Sequence, residues 1–132
     1  MKIVYRFNAP ISVGQLAEIF EASGLKRPVA DKGRIRKMRK HANLTVRAWD
    51  GTKIVGVARA LTDFAFCCYV SGLGVRAKYQ RRGIGKRMLQ LIRRKLGSEV
   101  MVLLLSAPQA KEYYPKVGFE KVENAWKIAR KR

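Results

Sequence analysis

Acidic side chains are scarce in this chain: 9 Asp and Glu stand against 29 Lys and Arg in 132 residues, a formal net charge of +20. A surface so basic repels polycations and attracts polyanions such as nucleic acid, an anionic membrane or a phosphorylated cofactor. Long apolar runs are missing too. None approaches the roughly 20 residues needed to span a bilayer, and the opening MKIVYRFNAP alternates instead of building the apolar stretch of a signal peptide. The expected location is therefore the cytoplasm. Cysteine is reduced to Cys67 and Cys68, which are adjacent. Neighbours in a strand point to opposite faces, so a disulfide between them is not expected. Two thiols and the lone His41 do not make a zinc site, and no metal is expected. Repeats, low-complexity segments and linkers are absent, and the length fits one domain over residues 1–132.

What is present is enough apolar material for a core, 48% of residues, laid out in recognisable periods. Met1–Phe7 reads as a strand ended by Pro10. Ser12-Val13-Gly14-Gln15 has the form of a capping box, followed by Val13, Leu16, Ala17 and Phe20 on one helical face, with a stop near Gly24. Asp31 caps a second, very basic helix to about His41. Leu44–Trp49 and Lys53–Leu61 flank the hairpin signal Asp50-Gly51. Asp63-Phe64-Ala65 is a further tight connection, and Phe66–Val75 a longer strand. Gly83–Gly97 is a helix with Ile84, Met88, Ile92 and Leu96 inward. Val100–Leu105 is a continuous apolar run, the pattern of a strand buried on both faces. Ala107–Lys116 reads as a short helix and Phe119–Lys127 as a last strand. The order gives an α/β class, mixed α+β layers with helices packed on a sheet.

Charge is concentrated where chemistry is expected. Nine basic residues and no acid lie between Arg76 and Lys95, and seven more between Lys32 and Arg47, again with no acid. The segment Tyr79-Gln80-Arg81-Arg82-Gly83-Ile84-Gly85-Lys86 joins a strand to a helix start. Free N–H groups there carry partial positive charge, Gly83 and Gly85 let a phosphate approach the backbone, and Arg81, Arg82 and Lys86 add formal charge. The segment matches neither a P-loop nor a dinucleotide fingerprint.

Val75 to Gly85 resembles motif A of the GNAT N-acetyltransferase superfamily, Q/R-x-x-G-x-G/A after a strand. Downstream, Ala110 to Phe119 (AKEYYPKVGF) is similar to the family's motif B, A-x-x-x-Y-x-x-x-G-F. The resemblance covers nearly the whole chain. It implies a central, mostly antiparallel sheet, splayed at the cofactor site, with helices on both faces. It also implies acetyl-CoA as co-substrate, its pyrophosphate held by Gln80, Arg81, Arg82, Gly83, Ile84, Gly85 and Lys86, and its pantetheine arm beside Leu73, Gly74 and Val75. Ser106, where many members have Asn, is a polar contact for that arm. Tyr114 takes the position of the general acid that protonates the departing thiolate, and a phenol near pKa 10 suits a leaving thiol near roughly 8.5. Tyr113 is its core-facing neighbour, grouped with the cofactor-contacting residues.

Two departures stand out. Many members carry an acid near the position of Gly72, so the general base is open among Asp63, Glu112, His41 and a water chain. The acceptor, a primary amine of a small molecule or protein, is not readable, although the basic surface favours an anionic or neutral one. Trp49, Phe64, Phe66 and Tyr69 are candidates for an acceptor pocket. Two other readings follow from the residues: a basic nucleic-acid-binding domain, from the net charge, and a GNAT module that binds acyl-CoA without catalysis, from Gly72. A homodimer is frequent in the resembling family, and Trp126 is a candidate either to close the sheet or to form the dimer contact.

Overall fold

The computed structural model describes residues 2–132; Met1 lies outside them. The elements are β1 (Ile3–Phe7), α1 (Val13–Ser23), α2 (Lys32–His41), β2 (Leu44–Asp50), β3 (Lys53–Thr62), β4 (Cys67–Val75), α3 (Ile84–Leu96) and β5 (Met101–Leu104), with 3₁₀ turns at Ala77–Tyr79, Pro108–Ala110 and Tyr114–Val117. The five strands lie in chain order across one sheet. All neighbours are antiparallel except β4 and β5, which are parallel and joined through α3. The crossover is a strand–helix–strand unit inside a mostly antiparallel sheet.

Local signals place the helices. At α1 the Ser12 hydroxyl accepts from Gln15 N at 3.0 Å while the Gln15 side chain accepts from Ser12 N at 2.9 Å, the reciprocal capping box. Gly24 ends the helix in the left-handed region, φ 81°. Asp31 caps α2 through Arg34 N. In α3, Ile84, Met88, Leu89 and Ile92 are buried, each contributing about 1.5–3 kcal/mol. These residues pack with Val46, Ala58 and Val70 on one face of the sheet. On the other face, Ile19 and Phe20 of α1 and Ile35 of α2 cover Ile54 and Val57. Helices thus sit on both faces. Cys67 is exposed and Cys68 buried, both as free thiols. No helix among the described residues is long and apolar enough to cross a membrane.

Three expectations fail at the C-terminal end. β5 is not buried on both faces: Met101 is 60% exposed and Leu105, just beyond it, 61%. It has β4 as its only described partner, so the apolar run marks an edge strand. Ala107–Lys116 is not one helix but two 3₁₀ turns with Pro108 and Pro115 near their starts, where proline removes the donor a continuous helix needs. Phe119–Lys127 forms no strand, and Trp126 is 96% exposed. Alternation specifies which side chains share a face, not whether the backbone pairs, and this segment does not pair with the open edge of β5.

Candidate active site

The pairing of β4 with β5 runs from Cys67↔Met101 to Val70↔Leu104 and stops there. On its other edge β4 stays paired with β3, through Leu73↔Ala58, Gly74↔Val57 and Val75↔Gly56. From Ser71 onward the edge of β4 that faces β5 is therefore released, and the sheet opens there. Leu73, Gly74 and Val75 all lie on this released stretch.

The chain leaves β4 through the 3₁₀ turn and reverses into α3. Arg81 adopts φ 65° and Gly83 φ 81°, two left-handed residues that bend the backbone around the helix start. The first helical bond is donated by Arg87 N to Gly83 O, so the N–H groups of Ile84, Gly85 and Lys86 have no acceptor inside the helix. The Ile84 side chain is buried in the core and only its backbone serves this turn. Arg81, Arg82 and Lys86 are exposed around it. The turn fits a pyrophosphate by its free amides, its glycines and its cations together.

Several neighbours were not visible in the sequence. The Tyr79 hydroxyl donates to Asp50 Oδ2 at 2.6 Å. Its ring lies 5.5 Å from the Arg82 guanidinium carbon and 5.9 Å from Lys53 Nζ, so one ring seats two cations beside the turn. The hydrogen bond to Asp50 is the first cause that raises the Tyr79 pKa. Arg76 anchors the end of β4 by an ion pair to Glu18 at 2.6 Å and a bond to Ile54 O. No spacing rule links residues 50, 53, 79 and 82, because the hairpin reaches the turn only through the sheet.

Two expected cofactor residues also carry structural contacts. Gln80 Nε2 donates to Val75 O at 2.9 Å and Ser23 O at 3.3 Å, tying the end of β4 to the end of α1. Gly74 faces α1: a Cβ there would lie 2.6 Å from Ser23 Oγ and 3.0 Å from Leu25 Cδ1. Its lack of a side chain is explained by helix packing.

The tyrosine pair divides differently from expectation. A Cβ on Gly85 would lie 3.3 Å from the Tyr113 hydroxyl and 3.8 Å from Val75 Cγ2. Tyr113 thus reaches the helix start, whereas Tyr114 is the one packed against the core cluster and edge-on to Phe119 at 5.6 Å. Tyr114 and Ser106 line a groove of about 1450 Å³ along β5 that the Gln80–Lys86 turn does not reach. Burial raises the pKa of both phenols, and Tyr113 adds to the effect on Tyr114. Both keep their protons at neutral pH.

The base candidates are not gathered at the opening. Asp63 accepts from the N–H groups of Ala65, Phe66 and Cys67 within 3.1 Å, which pushes its carboxyl down to about 2. It is a turn former. His41 ends α2 and is exposed, and Glu112 is exposed beside the groove. Of the aromatic candidates, Phe64 and Phe66 are exposed at 52% and 77%, while Trp49 packs under α1 and α2.

Residues 19–128 match the profile of the acetyltransferase (GNAT) domain. An uncharacterised N-acetyltransferase of Porphyra purpurea is 28% identical over 129 residues, spanning 92% of this chain and 72% of that protein. A Staphylococcus aureus protein of unknown function, described as a probable acetyltransferase, superposes with TM-score 0.84 at 18% identity over 99% of this chain and 100% of its own. An aminoglycoside N-acetyltransferase solved in complex with CoA superposes with TM-score 0.70 at 12% identity, over 99% and 96% of the two chains.

Proposed function

Because the chain belongs to the GNAT acetyltransferase family, we propose that it transfers an acetyl group from acetyl-CoA to a primary amine by direct attack. The observation that carries the reading is the release of β4 from β5 after Val70, immediately ahead of the amide-lined turn at Gln80–Lys86. A pyrophosphate on that turn directs its thioester arm along Leu73–Val75. The amine nitrogen attacks the thioester carbonyl carbon, a C–N bond forms, and the C–S bond breaks. Backbone N–H groups of the released strand stabilise the oxyanion that develops. The departing sulfur takes a proton from the Tyr114 phenol, and the proton lost by the nitrogen restores it through solvent, leaving an amide and free CoA thiol. β4 carries no acid between Cys67 and Val75, so the acceptor reacts as the neutral amine, its proton passing to water.

The placement of Tyr113 favours a second assignment within the same chemistry. Its hydroxyl stands at Gly85, closer to the turn's backbone than the packing of Tyr114 suggests for that residue. In this variant Tyr113 is the proton donor and Tyr114 holds it edge-on, with ring centroids 5.2 Å apart.

Isothermal titration with acetyl-CoA, followed by a primary-amine screen that reads free thiol, tests the function. Binding with acceptor-dependent thiol release supports it. Absence of binding refutes it, and binding with flat release across the screen makes the chain an acyl-CoA-binding module.

A further inference from the structure

The sheet face covered by α1 and α2 carries two buried arginines, Arg47 at 6% and Arg59 at 8% exposure. Burying a guanidinium is costly unless its charge is answered. Arg47 donates to the Ala9 carbonyl between β1 and α1, and so braces the chain entry to that helix. Arg59 sits elsewhere. The β3–β4 register skips between Ala58↔Leu73 and Ala60↔Val70, which sets Arg59 opposite Ser71 and Gly72. Its Nη1 donates to Ser71 O at 2.9 Å and its Nε to Met38 O at 3.0 Å. Both acceptors are neutral, and three of its five N–H donors remain for other partners.

A second guanidinium stands close by. Arg27, in the α1–α2 connection, lies 5.9 Å from the centroid of the Phe20 ring. That ring would be 3.4 Å from a Cβ on Gly72, and the Arg59 Cβ 3.6 Å from it. Phe20 and Arg59 therefore flank Gly72, two residues past the last β4–β5 pair, and Arg27 lies over the same Phe20 ring, close enough for its charge to act on Arg59. Burial is the first weight against the charged form of both arginines; the charge of Arg27 adds to it at Arg59, Tyr69 acts in the opposite direction on both, and Arg130 adds a smaller effect against Arg27. The ion pairs among the described residues are Arg76–Glu18 and Lys121–Glu123, and neither involves these arginines. A carboxylate at position 72 would neutralise the cluster from within. Glycine there leaves the counter-charge to be brought in.

We infer that the acetyl acceptor carries a carboxylate or phosphate, which Arg59 and Arg27 hold beside Gly72 at the mouth of the opened sheet. This rests on the acetyl-transfer reading above. A planar guanidinium offers paired N–H donors to either anion, so the pair recognises the acceptor's acidic group while its amine faces the thioester.

The test uses amines matched except for charge: 4-aminobutyrate against 4-aminobutyramide, and phosphoethanolamine against ethanolamine, with kcat/KM read from thiol release. The anionic member is expected to be faster by about 10- to 100-fold in at least one pair, the range of a charge-assisted contact. In Arg27→Gln that ratio is expected to fall towards unity, mainly through KM. Arg59→Lys, which keeps the buried charge but not the fork, is expected to lower it also, and covers the case in which Arg59→Gln fails to fold. Arg36→Gln, which removes the same unit of charge from an exposed site on α2, is the control for non-local charge. Equal or faster turnover of the neutral members overturns the anionic acceptor and leaves acetyl transfer standing, as does a ratio lowered equally by Arg36→Gln. Acetyl-CoA binding with no thiol release from any amine refutes both.

Discussion

Gly74→Ala separates the two reasons a glycine can stand in the opened strand. If the residue is small because α1 packs on it, the methyl group has nowhere to go: it would sit 2.6 Å from Ser23 Oγ and 3.0 Å from both Ser23 Cβ and Leu25 Cδ1. Ser23 closes α1 and its hydroxyl is already bonded to Phe20 O, so it yields only by moving the helix end. Overpacking of this kind costs about 1–3 kcal/mol. The backbone of Gly74 is not left-handed, so alanine recovers about 0.4–1 kcal/mol from the unfolded chain. The net destabilisation is roughly 0.5–2 kcal/mol, which lowers Tm by about 2–8 °C at this chain length. Ser23→Gly removes two of the three close atoms, and in the double variant the two losses are expected to be less than additive by about 0.5–1.5 kcal/mol. Thermal unfolding of the four proteins, with acetyl-CoA titrations alongside, reads both. An alanine variant with unchanged Tm, or losses that simply add, refutes the packing account. If acetyl-CoA affinity collapses in such a stable variant, the glycine serves the cofactor instead.

The tyrosine assignments make opposite predictions. Tyr114→Phe is expected to lower turnover roughly 10- to 1,000-fold with acetyl-CoA affinity nearly unchanged; if Tyr113→Phe does this and Tyr114→Phe turns over normally, the donor is Tyr113. Asp63 tests the turn that starts β4. Its three backbone donors hold the folded carboxyl near 2, below its unfolded value. Its contribution is therefore present above about pH 4 and lost as pH falls through 2. A carboxyl NMR titration is expected to show a midpoint near pH 2 for Asp63, and an ordinary aspartate midpoint would remove the turn-former account.

The capping box at Ser12, the Asp31 cap, the glycine stops and the cation-rich helix start at Gln80–Lys86 were all legible, because each depends on residues three or four apart and local geometry alone brings them together. The order of elements, read with the two motifs, pointed to a mostly antiparallel sheet with helices on both faces. The fate of Phe119–Lys127 was not legible, since alternation does not say whether a backbone pairs: the segment lines the groove beside the open edge of β5 without joining it. Nor was β5 as an edge, because an apolar run looks the same whether one neighbour covers it or two.

For the candidate site, the amino-acid order by itself determined which backbone turn can take an anion and which charges surround it. Only the tertiary structure decided that Gly74 answers to Ser23, that Tyr113 reaches Gly85 while Tyr114 packs inward, and that the Phe20 ring of α1 stands against Gly72 with Arg27 over it. The contacts at these three glycines join residues 28 to 52 positions apart. They are set by strand register and helix packing, which no local spacing encodes.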